Sequence, residues 1–337
     1  MAQPLAPWSA PRVSTDAPAL LALGTMNFGR RTPEADALRI IDRALDHGAV
    51  LLDTANAYTD GESERIVGRA LRGRRGAALI ATKVGLLRFG GELSGLIRVG
   101  GRSEGLSRPR ILQACDESLE RLGTDHIDIY YLHAPDRETP IEESLSAIAE
   151  LLRVGKIRAW AVSNYGAWQV LEMLSWCDRE GVPRPVMAQQ MYNLLVRQLD
   201  VEYLAFAQKY RLATTVYNPL AGGLLARRHT PGEPPPAGSR FDGNPMYQRR
   251  YWTERLHAQV EDYRVLASAL GLGLVTLAYA WLASRSGVDS ILVGPGTEAH
   301  LDDALAGAAL RLDAETLSRI DDLHRTHQGT DATYVRL

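Results

Sequence analysis

The sequence predicts a single closed (β/α)8 barrel, a TIM barrel with long loops on its carboxyl face and an extra helix at the C-terminus. Three observations lead there. Short continuous apolar runs of strand length alternate with segments of helical periodicity, the pattern of a parallel sheet covered on its outer face. The alternation can be counted eight times. No linker or shift in composition divides it, and the Pro-rich stretch 231–236 reads as a loop excursion. A leader over residues 1–18 and one barrel domain over 19–337 are therefore expected.

The first apolar run spans residues 19–26. Thr32-Pro33-Glu34 then opens a helix by the N-cap and first-turn proline rule. Ala37, Ile40, Ile41, Ala44 and Leu45 keep helical spacing, and His47-Gly48 stops it. Strand 50–53 (Val50-Leu51-Leu52-Asp53) follows, with a helix that ends near Gly73. Strand 78–83 closes on Lys83, and a glycine-rich loop runs on through Ser107. Helix 109–122 leads to strand 127–133, and helix 140–154 to strand 157–163. Helix 166–179 leads to strand 186–189, and helix 200–210 to strand 213–217. After a long loop with Pro231, Pro234, Pro235 and Pro236, helical material fills about 248–285. Strand 290–293 precedes helix 298–306, and Asp313-Ala314-Glu315 starts the last helix. The leader up to about Ala19 is poorly patterned; the expectation is that it is either disordered or covers the barrel's closed end.

Bulk properties narrow the function. With 337 residues, 45% apolar and 23% charged, the chain has ample material for a core. A net charge of −2 gives no reason to expect nucleic acid or an anionic membrane as partner. No apolar run is long enough to span a bilayer, and residues 1–16 lack the basic start and apolar centre of a signal peptide. Cys115 and Cys177 fall in helical patterns and read as buried thiols, not as a disulfide framework. A cytoplasmic protein is expected. Lysine is rare: only Lys83, Lys156 and Lys209 occur, so each deserves scrutiny.

Strand ends gather at one mouth in a barrel of this kind. Their last residues are Asp53, Lys83, His133, Ser163-Asn164, Gln189 and Tyr217, with Tyr58 just beyond the second strand. Each has a plainer explanation when taken singly. Asp53 can cap the next helix, Tyr58 can pack on it, Lys83 can be a surface lysine, and His133 can hydrogen-bond its own loop. Together they form a polar ring on one rim. Such a ring suits proton delivery to a carbonyl oxygen. A phenol with a pKa near ~10 is a poor acid at neutral pH unless its anion is stabilised. An ammonium ~4 Å away at an effective dielectric near ~20 is worth up to ~4 kcal/mol, which lowers a phenol by roughly three in pKa. Lys83 can supply that charge, Asp53 can hold it in place, and His133 can orient the substrate oxygen. The missing nucleophile is most simply a hydride from a nicotinamide. The rim offers only one histidine and no repeated ligand spacing, which argues against a metal site.

Asp53, Tyr58, Lys83 and His133, in the contexts DTANAY, ATK and YLHAPD, resemble the catalytic tetrad of the aldo-keto reductase superfamily. The similarity extends to LALGTMNFG (21–29), VSNY (162–165), QQMYN (189–193) and YNPLAGGLL (217–225). The resemblance implies reversible NAD(P)H-dependent carbonyl reduction on a small-molecule substrate. Tyr58 would be the general acid, Lys83 and Asp53 would tune it, and His133 would position the carbonyl. Ser163, Asn164 and Gln189 would hold the nicotinamide carboxamide, and Tyr217 would stack on its ring. Thr25, Met26 and Asp53 would complete that side of the cofactor site. The loop with Asn218, Leu220, Gly222 and Leu224 would follow the pyrophosphate.

Gly294-Pro295-Gly296 opens the helix after the eighth strand, where a barrel commonly binds phosphate; too little chain follows for a dinucleotide-binding Rossmann unit. The resemblance places Gly294, Gly296, His300 and Asp303 at this phosphate end. His300 stands where many relatives carry an arginine for the adenosine 2′-phosphate, and Ala304 replaces a common asparagine. Arg228 and Arg240 resemble the basic residues that clamp that phosphate in relatives with a similar loop, and a guanidinium suits the dianion. NADP(H) is the expected cofactor, with NAD(H) as the alternative. The segment 239–244, with Tyr247, Arg249-Arg250 and Tyr251-Trp252, is similar to the aflatoxin-aldehyde and succinic-semialdehyde reductase branch. Two rival functions stand beside reduction: a slow-turnover cofactor-binding protein of the channel β-subunit type, and a Schiff-base lyase using Lys83. Oligomeric state is left open.

Overall fold

The computed structural model describes residues 8, 12, 19–48, 51–86, 104–226, 229 and 232–329. The expected Val50 start of the second strand, the body of the glycine-rich loop, Pro231 and most of the leader lie outside them. Eight parallel strands close into a barrel in sequence order: β1 (Leu20–Gly24), β2 (Leu51–Asp53), β3 (Leu79–Val84), β4 (Ile127–Leu132), β5 (Ile157–Ser163), β6 (Met187–Met191), β7 (Ala213–Tyr217) and β8 (Ser290–Val293). β1 closes the ring against β8, with Leu20 opposite Ser290 and Leu23 opposite Val293. The sheet wears an outer layer of helices: α1 (Glu34–Asp46), α2 (Glu62–Ala70), α3 (Arg108–Leu122), α4 (Ile141–Arg153), α5 (Ala167–Glu180) and α6 (Tyr203–Lys209). It continues with α7 (Pro245–Tyr251), α8 (Glu254–Ala269), α9 (Leu274–Ser284), α10 (Glu298–Ala309) and α11 (Ala314–Gln328).

Local chemistry explains the boundaries. α1 follows Pro33, has Glu34 and Asp36 in its first turn and Arg43 in its last, and buries Ala37, Ile40, Ile41 and Ala44. α3 has a proline in its first turn and stops at left-handed Gly123. Thr253, Thr297 and Asp313 cap α8, α10 and α11 through their side chains. The helical stretch expected over 248–285 resolves into three helices. Asn244 caps α7 at Pro245, earlier than expected, and the chain breaks again around left-handed Gly271, so that α8 and α9 meet at 92°. Taken singly, no helix among the described residues is long and apolar enough to cross a membrane. β6 runs two residues past Gln189, pairing Met191 with Tyr217.

Strand periodicity decides what faces the barrel axis. Leu51, Leu79, Ala81, Ile129, Tyr131, Ala161, Met187 and Ala213 form one cluster with Ala22. Their outward neighbours Leu52, Ile80, Tyr130, Leu132 and Val162 join the larger core under the helices. Trp8 joins the inner cluster, and the Arg12 guanidinium donates to the carbonyls of Ala283 and Arg285. The two described residues of the leader thus pack on the barrel. Continuing the same alternation by one step puts Asp53 above Leu51, Lys83 above Ala81, and His133 above Tyr131.

Between α2 and α3 the contact is unusually close: a Cβ added at Gly68 would lie 2.5 Å from the Leu122 carbonyl oxygen. Gly68→Ala gains helix propensity of about 1 kcal/mol but must push two backbones apart, an overpacking cost of about 1–3 kcal/mol. A net loss of stability is expected in chemical denaturation, and a stabilised variant would refute this account of the α2–α3 contact.

Candidate active site

The residues that bring Tyr58 to the rim are conformationally unusual. Thr59, Asp60 and Gly61 all have positive φ, at 51°, 52° and 85°. This single turn reverses the chain directly after the tyrosine. Thr59 Oγ1 donates to the Phe28 carbonyl at 2.8 Å, and a Cβ at Gly61 would meet Arg121 Cδ at 2.5 Å. Arg121 is itself fixed by Glu64, which is buried and also accepts from Thr82 Oγ1. The turn therefore rests on side chains of α2, α3 and β3.

Lys83 and Asp53 form a buried ion pair, with side-chain exposures of 0% and 1%. Lys83 Nζ also donates to the Thr54 carbonyl at 2.8 Å, and Gln189 Nε2 donates to Asp53 Oδ2 at 2.9 Å. A surface role for Lys83 is thereby replaced by a fully interior one. Burial pushes the Asp53 carboxyl up and the Lys83 ammonium down, each opposed by attraction to the other. Lys83 Nζ lies 5.2 Å from the Tyr58 ring centroid and 5.4 Å from that of Tyr131. Tyr58 and His133 meet edge to face, with centroids 5.8 Å apart.

The expectation that Lys83 depresses the Tyr58 phenol is corrected here. Burial first, then the Asp53 carboxylate, hold the phenol well above its ordinary value. The physical reason is the depth of the phenol: the cost of burying its anion, with the Asp53 carboxylate nearby, exceeds what the ammonium returns. His133 is pushed well below the ordinary imidazole value by burial and by the Lys83 charge. It is thus neutral at physiological pH, and its buried Nδ1 has no hydrogen-bond partner among the described residues. The His133 amide donates to the Val84 carbonyl at 2.8 Å, which anchors it to the end of β3.

One cavity of about 690 Å³ joins these groups. Asp53, Tyr58 and His133 line it, together with Ser163, Asn164, Gln189 and Tyr217 from the next strand ends. Thr25 and Met26 line the side of β1, and Asn218, Leu220 and Gly222 that of β7. Gly294, Gly296, His300 and Asp303 line the end near α10, and Arg240 closes over from the long loop. Lys83 sits behind Asp53 and not on the wall. Leu224 is buried in the core and off the cavity. Arg228 lies outside the described residues.

Two asparagines organise the rim. Asn164 (φ 67°) donates to the His133 carbonyl at 2.9 Å and accepts from Tyr217 Oη at 2.7 Å. Asn218 (φ 65°) donates to Tyr251 Oη and accepts from the Gly222 amide, both at 2.7 Å. Reading strand ends missed Arg31, which also lines the cavity and donates to the Ser239 carbonyl at 3.2 Å. Its only signal was the Arg30-Arg31 pair in the loop after β1. Arg250 lines the cavity as well, and both Arg240 and Arg250 stand over the Tyr247 ring. A cavity of this size lies in the range of cofactor sites. Three guanidiniums without a salt bridge among the described residues, a helix N-terminus and an orphaned imidazole nitrogen fit an anionic dinucleotide with an acceptor held at Tyr58 and His133.

The Aldo/keto reductase family model matches residues 20–325. The chain is 32% identical over 315 residues to the mouse (Mus musculus) aflatoxin B1 aldehyde reductase member 2, covering 88% of this chain and 82% of that protein. It is 31% identical over 284 residues to a probable voltage-gated potassium channel subunit beta of Arabidopsis thaliana, covering 82% and 83%. The structure of a glycerol dehydrogenase from Gluconobacter oxydans superposes with a TM-score of 0.77 at 28% identity, covering 98% of this chain and 99% of that one.

The depressed His133 makes stability depend on pH. A histidine held neutral in the folded state contributes stability that is complete above the ordinary value of 6.5 and drains as pH falls from there towards the folded value. The unfolding free energy of the wild type should therefore fall relative to His133→Gln by at most about 1.4 kcal/mol per pH unit on acidification below that point. Denaturation of the two proteins at several pH values checks this, and parallel curves would contradict it.

Proposed function

Because the chain belongs to the aldo/keto reductase family, and so is an oxidoreductase, we propose that it uses NADPH to reduce an aldehyde or ketone to an alcohol, with Tyr58 as proton donor. The carrying observation is the meeting of Tyr58 and neutral His133 on one cavity wall, above the buried Lys83–Asp53 pair. When bound, the reduced nicotinamide supplies a hydride to the carbonyl carbon. Ser163, Asn164 and Gln189 would hold its carboxamide, with Tyr217 and the Asn218–Gly222 loop beside it. His133 holds the carbonyl oxygen by a hydrogen bond. As negative charge develops on that oxygen, its basicity rises and the Tyr58 hydroxyl proton moves onto it. The high-lying phenol guarantees that the proton is present at neutral pH. The phenolate left behind faces the Lys83 ammonium, is stabilised by it, and regains a proton from solvent.

Arg240 supports the choice of NADPH. Its guanidinium has one hydrogen bond to Asn27 Oδ1 at 3.1 Å and stands 5.6 Å from the Tyr247 centroid, with no carboxylate partner among the described residues. Such a group suits a 2′-phosphate dianion. The free thiols of Cys115 and Cys177, both buried, accord with a cytoplasmic setting. A Schiff-base role for Lys83 finds little support, since the amine has no exposed surface and two partners. The relatives named as potassium channel β subunits favour, as a second reading, a cofactor-binding protein with slow turnover.

Loss of NADPH absorbance with a panel of aldehydes, ketones and dicarbonyls tests the proposal. Wild type should turn over at least part of the panel, and Tyr58→Phe should lose between about 10²- and 10⁴-fold in rate. If both bind NADPH and neither consumes it, the enzyme reading falls and the second stands. Arg240→Ala should raise the KM for NADPH by roughly 10- to 100-fold, the worth of a charge-assisted hydrogen bond, while leaving that for NADH nearly unchanged. Equal effects on both cofactors would remove Arg240 from the 2′-phosphate.

A further inference from the structure

We infer that Glu104 is a positioning residue: its carboxylate clasps the loop that carries Tyr58 to the strand end that carries Lys83. Three chain segments converge on this one side chain, whose exposure is 9%. Oε1 accepts from the Gly85 amide at 2.8 Å and from Asn56 Nδ2 at 2.8 Å. Oε2 accepts from Arg110 Nε at 2.9 Å, which neutralises the charge from α3. Gly85 lies two residues after Lys83, and Asn56 two residues before Tyr58. The clasp therefore grips both catalytic segments just beside their functional side chains.

The surrounding bonds make the grip directional. The Asn56 amide donates to the Lys83 carbonyl at 3.2 Å, so the two segments are already in register when Glu104 closes over them. Gly85 turns its amide toward Glu104 at φ 117°, a conformation that L side chains rarely adopt, and an added Cβ would lie 3.0 Å from Leu106 Cδ2. Leu106 extends the same device to the fourth strand: its amide donates to Asp136 Oδ2 at 2.8 Å, three residues after His133. Its carbonyl accepts from Ser144 Oγ at 2.7 Å, fixing the segment to α4. The chain returning into α3 thus ties together the segments of Tyr58, Lys83 and His133 without contributing a group to the cavity wall. A half-buried carboxylate held by donors from three segments is a costly choice for a merely structural joint. Its position between two reacting segments explains the choice, because proton transfer is sensitive to displacements of about 1 Å.

The inference rests on the proposed reduction only for its kinetic consequence, so two measurements separate the two. Hydrogen exchange of the full-length protein reads the clasp directly. Glu104→Ala should speed exchange in both 54–58 and 83–86, and Asn56→Ala in 54–58 alone. Unchanged exchange in both segments of Glu104→Ala overturns the clasp. Single-turnover oxidation of NADPH, well below each variant's Tm, reads the consequence. Glu104→Ala and Asn56→Ala should slow it between about tenfold and a hundredfold, with the NADPH Kd unchanged. The double variant should be no slower than Glu104→Ala, because both act through one contact, and Glu104→Gln, which keeps an acceptor oxygen, should recover most of the rate. Faster exchange with an unaltered hydride step overturns the positioning role. If wild type itself consumes no NADPH, the proposed function has failed, and the exchange result alone decides the clasp.

Discussion

The buried pair of Lys83 and Asp53 is the constraint to which the rest of the site conforms. Two charges withdrawn from water are tolerable only if each is matched and hydrogen-bonded, and removing one partner of such a pair typically costs about 3–5 kcal/mol. The matching is provided by three strands. Asp53 ends β2, Lys83 lies near the end of β3, and Gln189 reaches from β6 to the second carboxylate oxygen. The Thr54 carbonyl is turned to the ammonium, which fixes how the chain leaves β2 and hence where the loop to Tyr58 begins. The same pair sets the protonation of its neighbours: its carboxylate helps hold the phenol protonated, and its ammonium helps hold the imidazole neutral.

What lies beneath explains why the charges sit at the rim. The barrel axis below them is filled by Ala22, Ala81, Ala161 and Ala213 interleaved with Leu51, Leu79, Ile129, Tyr131 and Met187. Small and large side chains alternate, leaving an interior with no place for an ionic group. Lys83 is the first inward position above this apolar layer on β3, and its ammonium rests against the Tyr131 ring. One residue lower on the inward face, the same lysine would have no carboxylate to meet. The apolar layer thus specifies the depth of the site as well as supporting the fold.

That logic is also why so much was legible in the sequence. Apolar runs of strand length end where side chains must become polar, so Asp53, Lys83, His133, Ser163 and Tyr217 could be read directly as strand ends. The starts of α1 and α11 followed from Pro33 and Asp313 for equally local reasons. Part of what escaped depends on contacts between distant segments. Arg31 and Glu104 follow no strand, and only the closed barrel brings them to the others. The breaks that split 245–284 into three helices turn on the Asn244 and Thr253 caps and on left-handed Gly271, local signals set inside a continuous helical pattern. The direction of the Tyr58 shift was misjudged because it is a balance between burial and charge, and the depth of the phenol is not written in spacing. Leu224 was assigned by its place in a motif, yet the turn after Gly222 sends it into the core.

Backbone strain is distributed with the same asymmetry as charge. Among the described residues, six non-glycine positions have positive φ: Thr59, Asp60, Asn164, Asn218, Ala221 and Arg211. The first five stand at the carboxyl rim, and only Arg211 lies at the opposite end, before β7. Conformations of this kind cost of order 1–3 kcal/mol each and persist only where their surroundings over-determine them. Asparagine bears the cost most easily, because its short amide can hydrogen-bond locally. Asn164 and Asn218 use this fully: each turns the chain sharply after a strand while its side chain ties the new loop to a neighbouring tyrosine. A strand end that continued in extended conformation would carry its next residues away from the axis. The left-handed turn keeps Tyr217, His133 and the Asn218–Gly222 loop around one cavity. The barrel gathers the strand ends at one mouth, and the strained turns after β2, β5 and β7 hold their loops around the cavity there.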